Sequence, residues 1–251
     1  MTDDEKELLK KMPVIDIVMT HKNRLGYLKR TLDALWKRTK SKYTLSIVDD
    51  GSTDGSQEYV QELYNQGKLK CLICKRENWG YYSAINSIVS TVASPFFVFM
   101  TDDTILPDVE PDWLFRLWRE FDWCIELGLL GLNNPTATIQ DRNKYNKTET
   151  IQFVSQINSN VLMFRNRPDI GYDQIVFRPL PPDKNLKDEM TPFSENCMQS
   201  GHKLGYLMDT YSLHIGEKST MGIYLNDEYP KDTFIKVNPK TLAPKTLAPI
   251  Y

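Results

Sequence analysis

Three short apolar runs each end in groups that can do chemistry. Val14 to Met19 (VIDIVM) leads into Thr20-His21. Leu45 to Val48 leads into Asp49-Asp50, and Phe96 to Met100 (FFVFM) leads into Thr101-Asp102-Asp103-Thr104. Two aspartate pairs brought close together repel. A divalent cation, backbone donors or protonation must then offset that repulsion. A hard cation such as Mg²⁺ or Mn²⁺ takes carboxylate oxygens and keeps other positions for phosphate. For the stretch from Asp49 to Gly55, turn formation and helix capping explain the residue types as well as ligand binding does. For Asp102-Asp103, after a continuous apolar run, ligand binding is the better account.

These residues need strands to bring them together. FFVFM is a run suited to a strand covered on both faces in a parallel sheet. Leu25, Leu28, Leu32 and Leu35 recur at helical spacing, so Arg24 to about Lys40 is expected as a helix. Further helices are expected from Asp54 to about Gln66 and from Tyr81 to Val92. A longer one is expected from Asp108 to Leu127, with Pro111 in its first turn and Trp113, Leu114, Leu117, Trp118, Phe121 and Ile125 on one face. Leu69 to Cys74, Leu129 to Leu132 and Val161 to Phe164 read as strands. Such β-α-β alternation predicts an α/β fold with a mostly parallel sheet and right-handed crossovers. In open sheets of this kind, ligands bind at the carboxyl ends of the strands.

The second half is less regular. Residues 135–150 are polar, and Gln174 to Asn185 holds three prolines. A helix is expected to start between Asp188 and Pro192 and to end near Gly201 or Gly205. From Glu217 onward the chain is sparse in aliphatics and repeats TLAP, which reads as an extended tail over 217–251.

Composition excludes several classes. The 251 residues carry 31 basic and 33 acidic side chains, a net charge of −2, which is wrong for a general nucleic-acid binder. No apolar run reaches the roughly 18 residues of a membrane span, and residues 1–12 lack the core of a secretory signal. Four cysteines, at Cys71, Cys74, Cys124 and Cys197, have no zinc spacing and read as reduced thiols in a cytoplasmic chain. Phosphate-loop, dinucleotide and HExxH motifs are absent, as is a serine elbow. From Lys22 to Lys42 there are eight basic residues and one acid, Asp33. This stretch is either a solvated helix face or a peripheral contact with an anionic membrane or lipid phosphate.

Taken together, three strings resemble family 2 glycosyltransferases: VIDIVMTHKNRLGYLKRTLDAL (Val14 to Leu35), LSIVDDGSTDGS (Leu45 to Ser56), and NWGYYSAINSIVSTVASPFFVFMTDDTILP (Asn78 to Pro107). The resemblance covers about the first 110 residues. It implies a fold of the GT-A type, a nucleotide-diphosphate sugar donor with UDP favoured, a divalent cation (Mn²⁺ or Mg²⁺), and inversion at the anomeric carbon. It also implies a single domain over 1–216, with a donor-binding half over about 13–110 and an acceptor half over about 111–216. The acceptor would be a glycan or a lipid-linked group, as in building cell-surface polysaccharide.

By the same resemblance, Thr20, with His21 beside it, lies at the base and ribose pocket. One of Asp49 and Asp50 faces the base, Asp102 meets the ribose, and Asp103 ligates metal. The position after the pair is Thr104 where the family usually has an acid, a T-D-D form of the motif. Arg76 would contact base or diphosphate, and Trp79 would stack on base or sugar or serve as a buried anchor. Ile170 to Asp173 resembles the segment before the catalytic base. Asp188-Glu189, fifteen residues after Asp173, is the candidate base, with Glu195 as its rival. Neither brings the arginine that the family places after it. His214 resembles a late histidine that completes the metal or diphosphate site. Two other classes stay open: a sugar-phosphate nucleotidyltransferase, and a non-catalytic module that binds Mg²⁺ or a nucleotide sugar.

Overall fold

A computed structural model describes residues 1–78, 80–133, 148–155, 157, 159–166, 194 and 197–216. Its elements in chain order are α1 (Asp3–Lys11), β1 (Ile15–His21), α2 (Leu25–Arg38), β2 (Tyr43–Asp49), α3 (Ser56–Asn65), β3 (Cys71–Cys74), α4 (Tyr81–Val89), β4 (Phe96–Thr101), β5 (Thr104–Ile105), α5 (Trp113–Trp123), β6 (Leu127–Asn133), β7 (Ile151–Val154), β8 (Val161–Arg165), β9 (Lys203–Tyr211) and β10 (Leu213–His214).

Eight strands form one sheet in the order β3-β2-β1-β4-β8-β6-β9-β7, and β5 pairs with β10 apart from it. The β3-β2-β1-β4 portion is wholly parallel. Beyond it the sheet is mixed: β8 runs antiparallel to β4 and β6, β9 parallel to β6, and β7 antiparallel to β9. The expectation of a mostly parallel sheet therefore holds for the first half of the chain, where helices supply the crossovers.

Successive residues of β1 point to opposite faces and enter two separate cores. Ile15, Ile17 and Met19 pack with Leu28, Leu32 and Leu35 of α2, with Val60 and Leu63 of α3, and with the α5 face. Val18 packs on the other side with Ala84, Ile85 and Ile88 of α4 and with Phe97 and Phe99 of β4. The leucine stripe expected on α2 is the buried face, except that Leu25 is only half-buried.

Three expectations are corrected. The helix expected from Asp108 to Leu127 is α5, Trp113–Trp123. Pro111 lies before it, because Asp112 is the cap: its carboxylate accepts Phe115 N at 2.9 Å and Lys40 N at 2.6 Å. At the other end, the Arg165 guanidinium takes the carbonyls of Phe121 (2.6 Å) and Cys124 (3.2 Å). Ile125 therefore falls past the end and is 69% exposed instead of lying on the apolar face. In the second half, residues 194 and 197–199 are helical and the chain turns at 200–201, so the expected helix ends near Gly201, while its start lies outside the described residues; Lys203–Tyr211 is then a strand running through Gly205. A Cβ on Gly205 would come within 2.6 Å of Ile151 and 2.8 Å of the Gln152 carbonyl, so this glycine lets β7 approach. The charged N-terminal stretch forms α1, closed by a capping box between Thr2 and Glu5. Residues 134–147, 167–193 and 217–251, including the polar loop, the proline-rich stretch and the tail, lie outside the described residues.

Candidate functional site

Parallel pairing of β2, β1 and β4 places the three chemical strand ends side by side. In register, His21 lies opposite Asp49, and Thr20 lies opposite both Val48 and Thr101. The backbone N–H of Asp50 donates to the His21 carbonyl at 2.9 Å, tying the first two ends together.

Asp102 and Asp103 form a turn between β4 and β5, and they are 4% and 2% exposed. Thr31 of α2 holds this turn from beneath. Its hydroxyl donates to the Asp102 carbonyl at 2.8 Å and accepts from Thr104 N at 3.0 Å. From the far side, His214 pairs with Thr104 in the β5–β10 ladder, and Ile215 N donates to the Asp103 carbonyl at 2.8 Å.

Each carboxylate is met by cationic or protic groups. His21 Nδ1 lies 2.6 Å from Asp102 Oδ2, and Arg24 Nη1 donates to Asp102 Oδ1 at 3.2 Å. Arg24 Nη2 contacts Asp103 Oδ2, and His214 Nε2 reaches the same oxygen at 2.8 Å. A carboxylate only accepts, so both imidazoles present a proton to it. Burial by itself would raise the Asp103 pKa. The hydrogen bond and charge of His214, the charge of Arg24 and the Thr101 hydroxyl overcome that and bring it down to about 2. Burial would lower the Arg24 guanidinium, but the charges of Asp102 and then Asp103 hold it above its ordinary value. Asp103 Oδ1 and His21 Nε2 are buried with no hydrogen-bond partner among the described residues.

The second acidic pair is divided between two tasks. Asp49 is fully buried, and its Oδ1 accepts from Ser52 N (2.8 Å) and Gln57 Nε2 (2.9 Å). Its Oδ2 has no partner among the described residues. Asp50 Oδ2 accepts from Gly80 N at 3.0 Å, and the buried Lys75 ammonium lies 3.9 Å from its Oδ1. Gly51, at φ +79°, sits so close to the Glu77 backbone that a Cβ would fall 2.7 Å from it. The turn-and-cap account of this stretch is thus correct in part. Asp54, one residue before the Gly55 N-cap of α3, accepts from Ser56 N (3.1 Å) and from Leu25 N (2.9 Å).

The structure brings together Thr20, His21, Asp49, Asp50, Asp102, Asp103 and His214. Arg76 is exposed on the loop after β3. Trp79, Asp188, Glu189 and Glu195 lie outside the described residues. Sequence reasoning missed Arg24, which it took only as the start of a helix, and Thr31. It also missed Gly216, where a Cβ would come within 2.1 Å of Asp103 Oδ2 and 2.3 Å of Arg24 Nη2. A signal for Arg24 was available: a cation at the positive end of a helix is electrostatically misplaced unless something anionic faces it.

Among the described residues no group of three or more His, Cys, Asp or Glu side chains forms a ready-made metal cage. Asp103 and His214 already converge on one point, and Asp103 keeps an unsatisfied oxygen. One carboxylate and one imidazole, completed by phosphate oxygens and water, suit an Mn²⁺ or Mg²⁺ ion that is bound together with its substrate.

Residues 16–130 match the family model described as glycosyl transferase family 2. An uncharacterised glycosyltransferase of Nostoc is 28% identical over 91 residues, covering 36% of this chain and 28% of that protein. Among solved structures, Staphylococcus aureus TarS 1–349 in complex with UDP-GlcNAc superposes with a TM-score of 0.60 at 18% identity, over 85% of this chain and 62% of that one. Pyrobaculum calidifontis mannosyltransferase PcManGT, in complex with GDP-Man and Mn²⁺, gives 0.63 at 14% identity, over 86% and 64%. The chain thus spans less than two thirds of each of these proteins.

Proposed function

We propose a reaction for a chain that belongs, through residues 16–130, to glycosyl transferase family 2 and that has the GT-A fold of a transferase. It moves a sugar from a nucleoside-diphosphate donor to an acceptor hydroxyl, with inversion at the anomeric carbon. The observation that carries this reading is the buried Asp102-Asp103 turn, met by Arg24, His21 and His214 at the carboxyl end of the parallel strands. The complexes of TarS with UDP-GlcNAc and of PcManGT with GDP-Man support a nucleotide-sugar donor.

In this reading Asp49 faces the base, because its Oδ2 is the acceptor left over after Ser52 and Gln57 have taken Oδ1. Thr20 lines the pocket from the end of β1, and Asp50 orders the loop at Gly80. Asp102 meets the ribose, with its carboxylate aimed by His21 and Arg24. Arg76 and Trp79 border the base. Asp103 and His214 hold a divalent cation, which when bound supplies positive charge against the departing diphosphate. The acceptor oxygen forms its bond to the anomeric carbon as the carbon–oxygen bond to the diphosphate breaks. Its proton passes to a carboxylate, Asp188 or Glu189 with Glu195 as rival, a step worth about 10²–10⁴ in rate. The acceptor, a glycan or lipid-linked group, is bound by the half after residue 110.

Thermal shift with UDP-, GDP-, dTDP- and CDP-sugars, with and without Mn²⁺, tests this. At least one donor should stabilise the protein more in the presence of Mn²⁺, and that donor should be slowly hydrolysed. No stabilisation by any of them would sink the reading. Binding with neither hydrolysis nor transfer would leave a non-catalytic module.

A further inference from the structure

Arg24 is costly where it stands. It occupies the N-cap of α2 without making a side-chain cap, and the first turn of that helix carries no acid. The helix dipole there is positive and disfavours a guanidinium. The position is held by the acidic pair: one Arg24 nitrogen is on Asp102 and another is on Asp103. Tyr27, one turn into α2, supports the guanidinium from its ring face at 5.1 Å.

The contact with Asp103 is made at a crowded oxygen. Asp103 Oδ2 is shared by Arg24 Nη2 and His214 Nε2, and the backbone of Gly216 closes the remaining side. A cation held by Asp103 and His214 would stand beside the Arg24 guanidinium on the same carboxylate, and the two positive charges would repel. Arg24 is able to leave: its side chain is 35% exposed, whereas Asp103 is 2%.

We propose that Arg24 is a positioning residue that serves as the resident cation of the acidic pair. It holds the Asp102 and Asp103 carboxylates in place through its two nitrogens, and it competes with the divalent cation for Asp103. Two buried carboxylates side by side would otherwise repel each other without a counter-charge. The cost is a weaker affinity for the free ion, because binding must first displace an internal counter-charge. The inference rests on the assignment of Asp103 and His214 to the cation.

Mn²⁺ binding to the donor-free protein, followed by the EPR signal of the free ion, tests it on wild type, Arg24→Gln, Arg24→Lys and Asp103→Asn. Arg24→Gln should bind Mn²⁺ about tenfold tighter than wild type, and its melting temperature should rise correspondingly more with Mn²⁺. Arg24→Lys, which keeps a point charge but loses the fork, should fall between the two. Damage to the fold would weaken binding, so tightening is a result that a merely structural role does not produce. Should Arg24→Gln fold only when Mn²⁺ is present, and unfold on chelation where wild type does not, the proposal stands. Affinity in Arg24→Gln equal to or weaker than wild type overturns it, as does unfolding regardless of Mn²⁺. If Asp103→Asn loses Mn²⁺ while Arg24→Gln gains nothing, the Arg24 proposal alone falls. If Asp103→Asn binds Mn²⁺ as wild type does, the cation assignment itself falls.

Discussion

His214 Nε2 lies 2.8 Å from Asp103 Oδ2, across 111 positions of chain. The contact is made because β10 pairs antiparallel with β5, the two-residue strand that begins immediately after Asp103. A short ladder therefore sets an imidazole on the acidic turn and closes the site on the side away from α2.

Acid should probe this arrangement. Asp103 is depressed from 3.8 to about 2, so its contribution to stability is fully present above about pH 4 and is lost as pH falls towards 2. The shift corresponds to roughly 2 kcal/mol. Equilibrium unfolding of Asp103→Asn between pH 2 and 6 should show a flatter acid limb than wild type. Parallel limbs would mean that Asp103 is not held ionised in the fold.

His214 Nε2 points its N–H at Asp103, so ligating a metal through that nitrogen requires the other tautomer, with the proton on Nδ1. His214→Ala should lower Mn²⁺ affinity by at least about tenfold, since even the loss of an outer partner costs about 10–100-fold. Unchanged affinity would take His214 out of the cation site.

Two glycines make a paired test. Gly216→Ala drives a methyl group into Asp103 and Arg24 and should destabilise by about 1–3 kcal/mol while reducing Mn²⁺-linked binding. Gly26 lies in α2, and a Cβ there would meet nothing within 4 Å, so Gly26→Ala should be neutral or stabilising by up to about 1 kcal/mol. Denaturant melts of the two variants separate them. A Gly216→Ala protein as stable as Gly26→Ala would show that residue 216 does not close the site.

Asp16 is an acid with a different task. It is buried at the opposite end of β1, where it takes Lys70 Nζ (2.8 Å), Ala93 N (2.7 Å) and Ser94 N (3.0 Å). Burial would raise its pKa, and these donors together with Thr44 bring it below the usual carboxylate range. Asp16→Ala should cost about 2 kcal/mol or more yet leave the donor-linked thermal shift intact, because it sits at the end of the sheet away from the ligand. Loss of donor binding in a folded Asp16→Ala protein would contradict that division.

The first half of the chain was legible because its signals are local. The stripe from Leu28 to Leu35, the run FFVFM and the stop at Asp102-Asp103 each lie within a few residues, and β-α-β order constrains how they assemble. The second half was harder for the same reason. Residues 203–211 carry no clear alternation, and their strand is decided by β6 and β7, which are remote in sequence. Asp112 and Arg165 set the ends of α5 through partners that no helical window contains.

By itself the sequence determined which strand ends carry acids and in what order, since alternation and apolar runs record burial directly. Only the tertiary structure decided what neutralises those acids. Arg24 meets Asp103 across 79 positions and His214 meets it across 111. Such pairings follow from strand register and helix placement, where the free energy is spread over a whole core, and no local pattern encodes which charge will face which.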